Sequence, residues 1–157
     1  MDATDEPRWL TEVEMRAWLE LISVLIRLPA ALDRQLQRDA GLSHFEYQVL
    51  AGLSMSPERT MRMRDLAAFS DGSLSRLSHT VARLERRGWV RRTPDPADGR
   101  STLAVLTDQG WEKLAAAAPG HVEAVRSYVF EPLTQAQVRQ LEAIGRRING
   151  ALGSCPS

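Results

Sequence analysis

One feature constrains this chain more than any other: a helix-period stretch that stops at a glycine and runs at once into a charged hairpin. The helical stretch extends from about Ser73 to Arg87 and ends at Gly88. Trp89 to Thr93 then reads as a short strand. Pro94, Asp95, Pro96, Asp98 and Gly99 follow in close order, all of them residues that favour turns. Thr102 to Leu106 reads as a second strand, with Leu103 and Val105 on one face.

Upstream of that helix, Asp65 to Phe69 reads as a short helix, and Ser70, Asp71 and Gly72 make a turn. Two helices joined by a tight, glycine-containing turn match the helix-turn-helix pattern. That pattern alone also describes an ordinary helical hairpin. The β-hairpin directly behind it favours a winged helix-turn-helix, in which the hairpin is the wing.

The flanks carry helix-start signals. Thr11 and Glu14 form a capping box with Leu10 and Met15 as its hydrophobic staple, and Ser43 and Glu46 form a second with Leu42 and Tyr47. The first helix places Met15, Trp18, Ile22, Leu25, Pro29, Leu32 and Leu36 at steps of three and four, a seam suited to a partner helix. Pro29 is expected to kink it. Gly41 ends it, and Ser56–Pro57 ends the next helix. Thr107 caps a fifth helix that Pro119 and Gly120 are expected to bend or break. Thr134 and Gln137 box a last helix, lined on one face by Leu141, Ile144, Ile148 and Leu152. The first and last helices exceed what a small winged module needs for its own core. Pairing them across a two-fold axis buries them.

The chain has 157 residues, 43% of them hydrophobic and 25% charged, which excludes a disordered chain. No apolar stretch is long enough to span a bilayer. Met1 to Arg8 is acidic and polar, unlike a secretory leader, so a cytoplasmic location and no membrane partner are expected. The formal net charge is zero, which argues against indiscriminate nucleic-acid binding. The distribution is uneven: Arg76, Arg83, Arg86, Arg87, Arg91, Arg92 and Arg100 stand between Ser73 and Ser101 against only Glu85, Asp95 and Asp98. A basic patch on an otherwise acidic body is a directed electrostatic footprint.

The stretch RDLAAFSDGSLSRLSHTVARLERRGWVRR, followed by DPADGRSTLAVLTDQG, resembles the MarR family of bacterial regulators. The wing phrase from Asp95 to Arg100, with Leu106–Thr107 and Gly110 behind it, is the most specific part. The resemblance implies a single domain over 1–157, mainly α with a small β-hairpin wing. Dimerisation helices would occupy 9–40 and 120–153, and a winged helix-turn-helix module 42–110. It implies a homodimer whose two modules reach successive major grooves of a pseudo-palindromic double-stranded operator. It also implies a repressor released by a small aromatic or phenolic effector. The oxidant sensors of the family carry a cysteine near the start of the first helix. This chain has none there. Its one cysteine, Cys155, lies two residues from the end and is expected to be incidental.

The residues of the fourth helix point to the same interface. At 100° per residue, Leu74, Leu77, Val81 and Leu84 share one face, and Ser75, Arg76, His79, Arg83 and Arg86 the opposite one. The usual fate of such a polar stripe is a solvated surface. The wing and the local excess of arginine favour DNA, where an arginine fork meets two acceptors on guanine. Ser73 stands at the helix start. Arg91 and Arg92, at the wing base, suit phosphates. Arg100 is expected at the wing tip. Taken alone, Arg100 and Asp98 make a surface ion pair worth little. With the resemblance, Arg100 enters a minor groove and Asp98 holds its guanidinium. Trp18, His44 and Tyr47, on the first two helices, are candidates to line an effector site.

An enzyme needs a constellation, and none stands out. His44, His79 and His121 lack a metal-ligand spacing, and there is no phosphate-binding glycine loop, so neither cofactor nor metal is expected. Two binding alternatives stay open: a regulator that holds DNA without an effector, and a winged module that binds protein. The latter calls for apolar anchors where this chain has arginines.

Overall fold

The computed structural model describes residues 7–153; Cys155 lies outside them. Helix α1 spans Glu12–Ala40. Thr11 accepts from the Glu14 N–H, and the Glu14 carboxylate accepts from the Thr11 N–H at 2.8 Å. Gly41 ends the helix at φ +62°, a left-handed conformation that glycine enters without steric penalty. Ser43 and Glu46 repeat the reciprocal cap for α2, His44–Met55. A single 3-10 turn, Pro57–Arg59, leads into strand β1, Thr60–Arg62. Helices α3, Met63–Phe69, and α4, Leu74–Arg86, enclose the turn expected between them. In that turn Asp71 takes φ +50°. Gly72 lies so close to Phe45 that an added Cβ would stand 2.7 Å from the ring.

Gly88, at φ +76°, turns the chain out of α4. Strands β2, Val90–Asp95, and β3, Asp98–Leu106, then form the hairpin. Helix α5, Asp108–Val125, is capped by Thr107, whose hydroxyl accepts from Gly110 N–H at 3.0 Å. A π-helical turn, Arg126–Phe130, precedes α6, Gln135–Gly153, which starts on the Thr134–Gln137 box. The core gathers Leu36 from α1, Leu50 and Leu53 from α2, Leu66 from α3, Leu77, Val81 and Leu84 from α4, and Val90 and Ala104 from the sheet. It joins the central module to the end of α1 and to α5 through Leu36, Leu114 and Ala117, and leaves α6 with no buried residue.

The architecture is the expected one, mainly helical with a small sheet as wing, and it differs from the sequence reading in particulars. The sheet has three antiparallel strands in the order β1-β3-β2, because Thr60–Arg62 pairs with Leu103–Val105. The hairpin is longer than expected. Pro94 pairs with Thr102 and Asp95 with Asp98, so the turn contracts to Pro96 and Ala97. Arg100 therefore lies on the outer part of β3 rather than at the apex. Helix α5 runs unbroken through Pro119 and Gly120 and packs against α1 and α2. The interruption falls instead at the π-helical turn. Leu74 is not buried with the rest of its stripe: it is 54% exposed, because the core stops one turn short of it.

Candidate nucleic-acid interface

Helix α4 presents its polar face outward. Ser73 caps it by accepting from the Arg76 N–H at 3.1 Å. Ser75, Arg76, His79, Arg83 and Arg86 are all exposed, opposite the buried Leu77, Val81 and Leu84. The two central arginines are held by α2. The Arg76 guanidinium carbon lies 4.0 Å from the centroid of the Phe45 ring, a cation–π contact. Arg83 Nε donates to Glu46 Oε1 at 3.3 Å, and Arg87 stands 4.0 Å from the other oxygen. Glu46 is 4% exposed and also closes the α2 cap, so one carboxylate ties α4 to the start of α2. Among the described residues Arg86 and Arg91 make no ion pair. Arg92 donates to Glu85 through both its backbone N–H and its Nε, at 2.8 and 2.9 Å. Burial raises the Glu85 carboxyl, but these bonds and the Arg92 charge outweigh it and hold it below the usual carboxylate range.

The wing is braced from inside. Asp95, 7% exposed, accepts from Arg62 Nε at 2.8 Å and from the Ala97 N–H at 2.9 Å. Asp98 does not hold the Arg100 guanidinium as expected. It accepts from the Ser101 hydroxyl at 2.9 Å and from the Arg100 backbone N–H at 3.1 Å. Those two bonds, Ser101's first, lower its carboxyl below the ordinary value. Asp98 thus shapes the strand, and the Arg100 side chain is exposed without an ion pair among the described residues. Between α4 and the wing lies a cleft of about 370 Å³ whose wall includes Arg62, Arg64, Arg92 and Arg100. Sequence reasoning missed Arg62 and Arg64. The alternation Met61-Arg62-Met63-Arg64 hinted at an extended segment, but a three-residue strand is too short for alternation to be decisive.

A second, open cleft of about 860 Å³ lies where α1 and α2 meet α4. Its wall includes Asp33, His44, Phe45, Arg76, His79 and Arg83. Of the three effector-site candidates it takes in His44 alone. The Tyr47 ring packs instead on His121 of α5, centroids 4.2 Å apart, with His44 5.9 Å from that imidazole. Burial lowers the pKa of His44, against the pull of Asp33, and lowers that of His121 together with the neighbouring His44 charge. Burial raises the Tyr47 hydroxyl. Trp18 stands apart on the exposed first half of α1, 48% accessible. Among the described residues no three His, Cys, Asp or Glu side chains gather as a metal site, and no helix is long and apolar enough to cross a membrane.

A model of the MarR family matches residues 40–101, the segment from the end of α1 to β3. A MarR family transcriptional regulator from Streptomyces coelicolor, Sco3205, solved in complex with DNA, is 50% identical. It superposes with a TM-score of 0.89 over 98% of this chain and 95% of that one. AbsC, another MarR family regulator of that organism, is 36% identical, with a TM-score of 0.88 over 95% of this chain and all of that one. An HTH-type transcriptional regulator of Bacillus subtilis, YdcH, is 32% identical over 80 residues, which span 50% of this chain and 54% of that relative.

Proposed function

Since the chain belongs to the MarR family of transcriptional regulators, we propose that it is a sequence-specific regulator that binds a pseudo-palindromic operator as a homodimer. The observation that carries this reading is the outward face of α4, with Arg76 and Arg83 held in place by α2 beside a braced wing bearing a free Arg100. Guanidinium groups fixed before binding lose less freedom on binding. Ser75, Arg76, His79, Arg83 and Arg86 then face base edges in the major groove, Ser73 and Arg91 meet phosphates, and Arg100 enters the flanking minor groove with Asp98 setting its strand. The relative from Streptomyces coelicolor solved with DNA supports the same reading. The regions 9–40 and 120–153 serve as dimerisation arms and 42–110 as the DNA-binding module.

The regulator is a repressor released by a small aromatic or phenolic effector. The cleft between α1, α2 and α4 supports this, because Arg76, His79 and Arg83 line it and also belong to the DNA-facing surface. A ligand that draws those side chains inward removes them from the groove. His44 lines this cleft, whereas Trp18 and Tyr47 do not.

Operator fragments are recovered by footprinting on genomic DNA and titrated with wild type and variants. Arg76→Ala is expected to cost about 1–3 kcal/mol on the operator and less on random DNA. Operator binding that survives both Arg76→Ala and Arg83→Ala unchanged overturns the assignment of α4. Arg100→Ala is expected to weaken binding most on A·T-rich flanks. Equal losses on A·T-rich and G·C-rich flanks make Arg100 a phosphate contact. A series of hydroxybenzoates added to the preformed complex tests the effector. Release by none of them, or equal release from a His44→Ala variant, counts against the cleft.

A further inference from the structure

The apolar stripe of α4 outruns the core it serves. Leu77, Val81 and Leu84 have no exposed surface, whereas Leu74, one turn earlier on the same face, is 54% exposed. It opens onto the cleft between α4 and the wing, beside Ser78 and the guanidinium-bearing Arg62, Arg64, Arg92 and Arg100. Of these, Arg62 is paired with Asp95 and Arg92 with Glu85, while Arg64 and Arg100 have no ion-pair partner among the described residues.

A scattered exposed leucine needs no explanation on a protein surface. This one stands in the first turn of the helix read as the recognition helix, the part that meets base edges in such modules. Its cationic surroundings suit a polyanion and disfavour a wholly apolar partner, which would strip the guanidinium groups of water. The major groove offers one apolar group on its base edges, the C5-methyl of thymine. We propose that Leu74 packs on a thymine methyl in each operator half-site, while Arg64 and Arg92 beside it meet the neighbouring phosphates. Leu74 is then a specificity residue alongside the polar ones. The inference rests on the DNA-binding reading above.

The test replaces each thymine of the recovered operator, one at a time, by uracil, which differs only in lacking that methyl. Full-length wild type is expected to lose about fourfold in affinity at one position per half-site, the scale of one buried methyl. Leu74→Ala, exposed and so expected to fold, should bind the thymine operator more weakly and be indifferent to uracil at that position. Leu74→Met, which keeps an apolar tip, should retain the preference. A wild type indifferent to uracil at every position, or a Leu74→Ala protein that keeps the preference, overturns the proposal and leaves the DNA-binding reading standing. Absence of operator binding by the wild type overturns both.

Discussion

Arg83 and Arg86 both leave α4 for solvent, yet they differ in what they leave behind when removed. Arg83 partners Glu46, a carboxylate with 5% of its side chain exposed, whereas Arg86 makes no ion pair among the described residues. Arg83→Ala strips a buried acceptor of a charged donor and is expected to destabilise the protein by about 1–3 kcal/mol. Arg86→Ala should stay within about 0.5 kcal/mol. Urea denaturation at equal protomer concentration compares them, and equal midpoints would contradict the Glu46 tie. The histidines make a second prediction. His44 and His121 have pKa values lowered by burial, so the unfolded chain binds protons near its ordinary value of about 6.5 while the folded chain resists. Their stability contribution is complete above about pH 6.5 and is lost as pH falls below it. Melting temperature should hold from about pH 8 to 7 and then decline, and His121→Gln should flatten part of the decline. A melting temperature that rises as pH falls from about 6.5 to 5.5 would contradict the burial of these imidazoles.

At the scale of elements, what the sequence discloses is what is local. The boxes at Thr11–Glu14, Ser43–Glu46 and Thr134–Gln137 each form within four residues, and all three stand where their residues place them. The helix-turn-helix and the hairpin were legible for the same reason. What eluded the sequence is decided at a distance. Strand β1 exists because β3 offers it an edge, and three residues alone carry no strand signal. Pro119 does not end α5, a helix that packs against both α1 and α2. The ties Glu46–Arg83 and Arg62–Asp95 span 37 and 33 residues, beyond any local pattern. His121 meets His44 and Tyr47 only through the packing of α5 on α2. The Arg62–Asp95 tie also has a consequence for the wing. Asp95→Ala frees Arg62 and the Ala97 N–H together, so hydrogen exchange should quicken across β2 and β3 while helical content is kept. Unchanged exchange in the hairpin would mean that the brace is dispensable.

A single protomer leaves a broad apolar surface in water. Val13, Leu19, Val24, Leu25 and Ile26 on α1 and Leu141, Ile144, Ile148 and Leu152 on α6 are exposed, while only the last turns of α1, at Leu32 and Leu36, enter the core. Exposed apolar patches of this extent mark interfaces, and they lie on the two helices proposed as dimerisation arms. Ile144→Glu combined with Ile148→Glu is expected to yield folded monomers that bind operator poorly, as sedimentation would show. A double variant that sediments as wild type would remove α6 from the interface. The proposed function requires that two copies of this chain present two winged modules to one operator. Hydroxyl-radical footprinting of the wild-type protein on its recovered operator tests it most directly. Protection is expected in two half-sites related by a dyad, about one helical turn apart from centre to centre, with protein bound as two protomers per duplex. A single isolated half-site, or protection without regard to sequence, would contradict it.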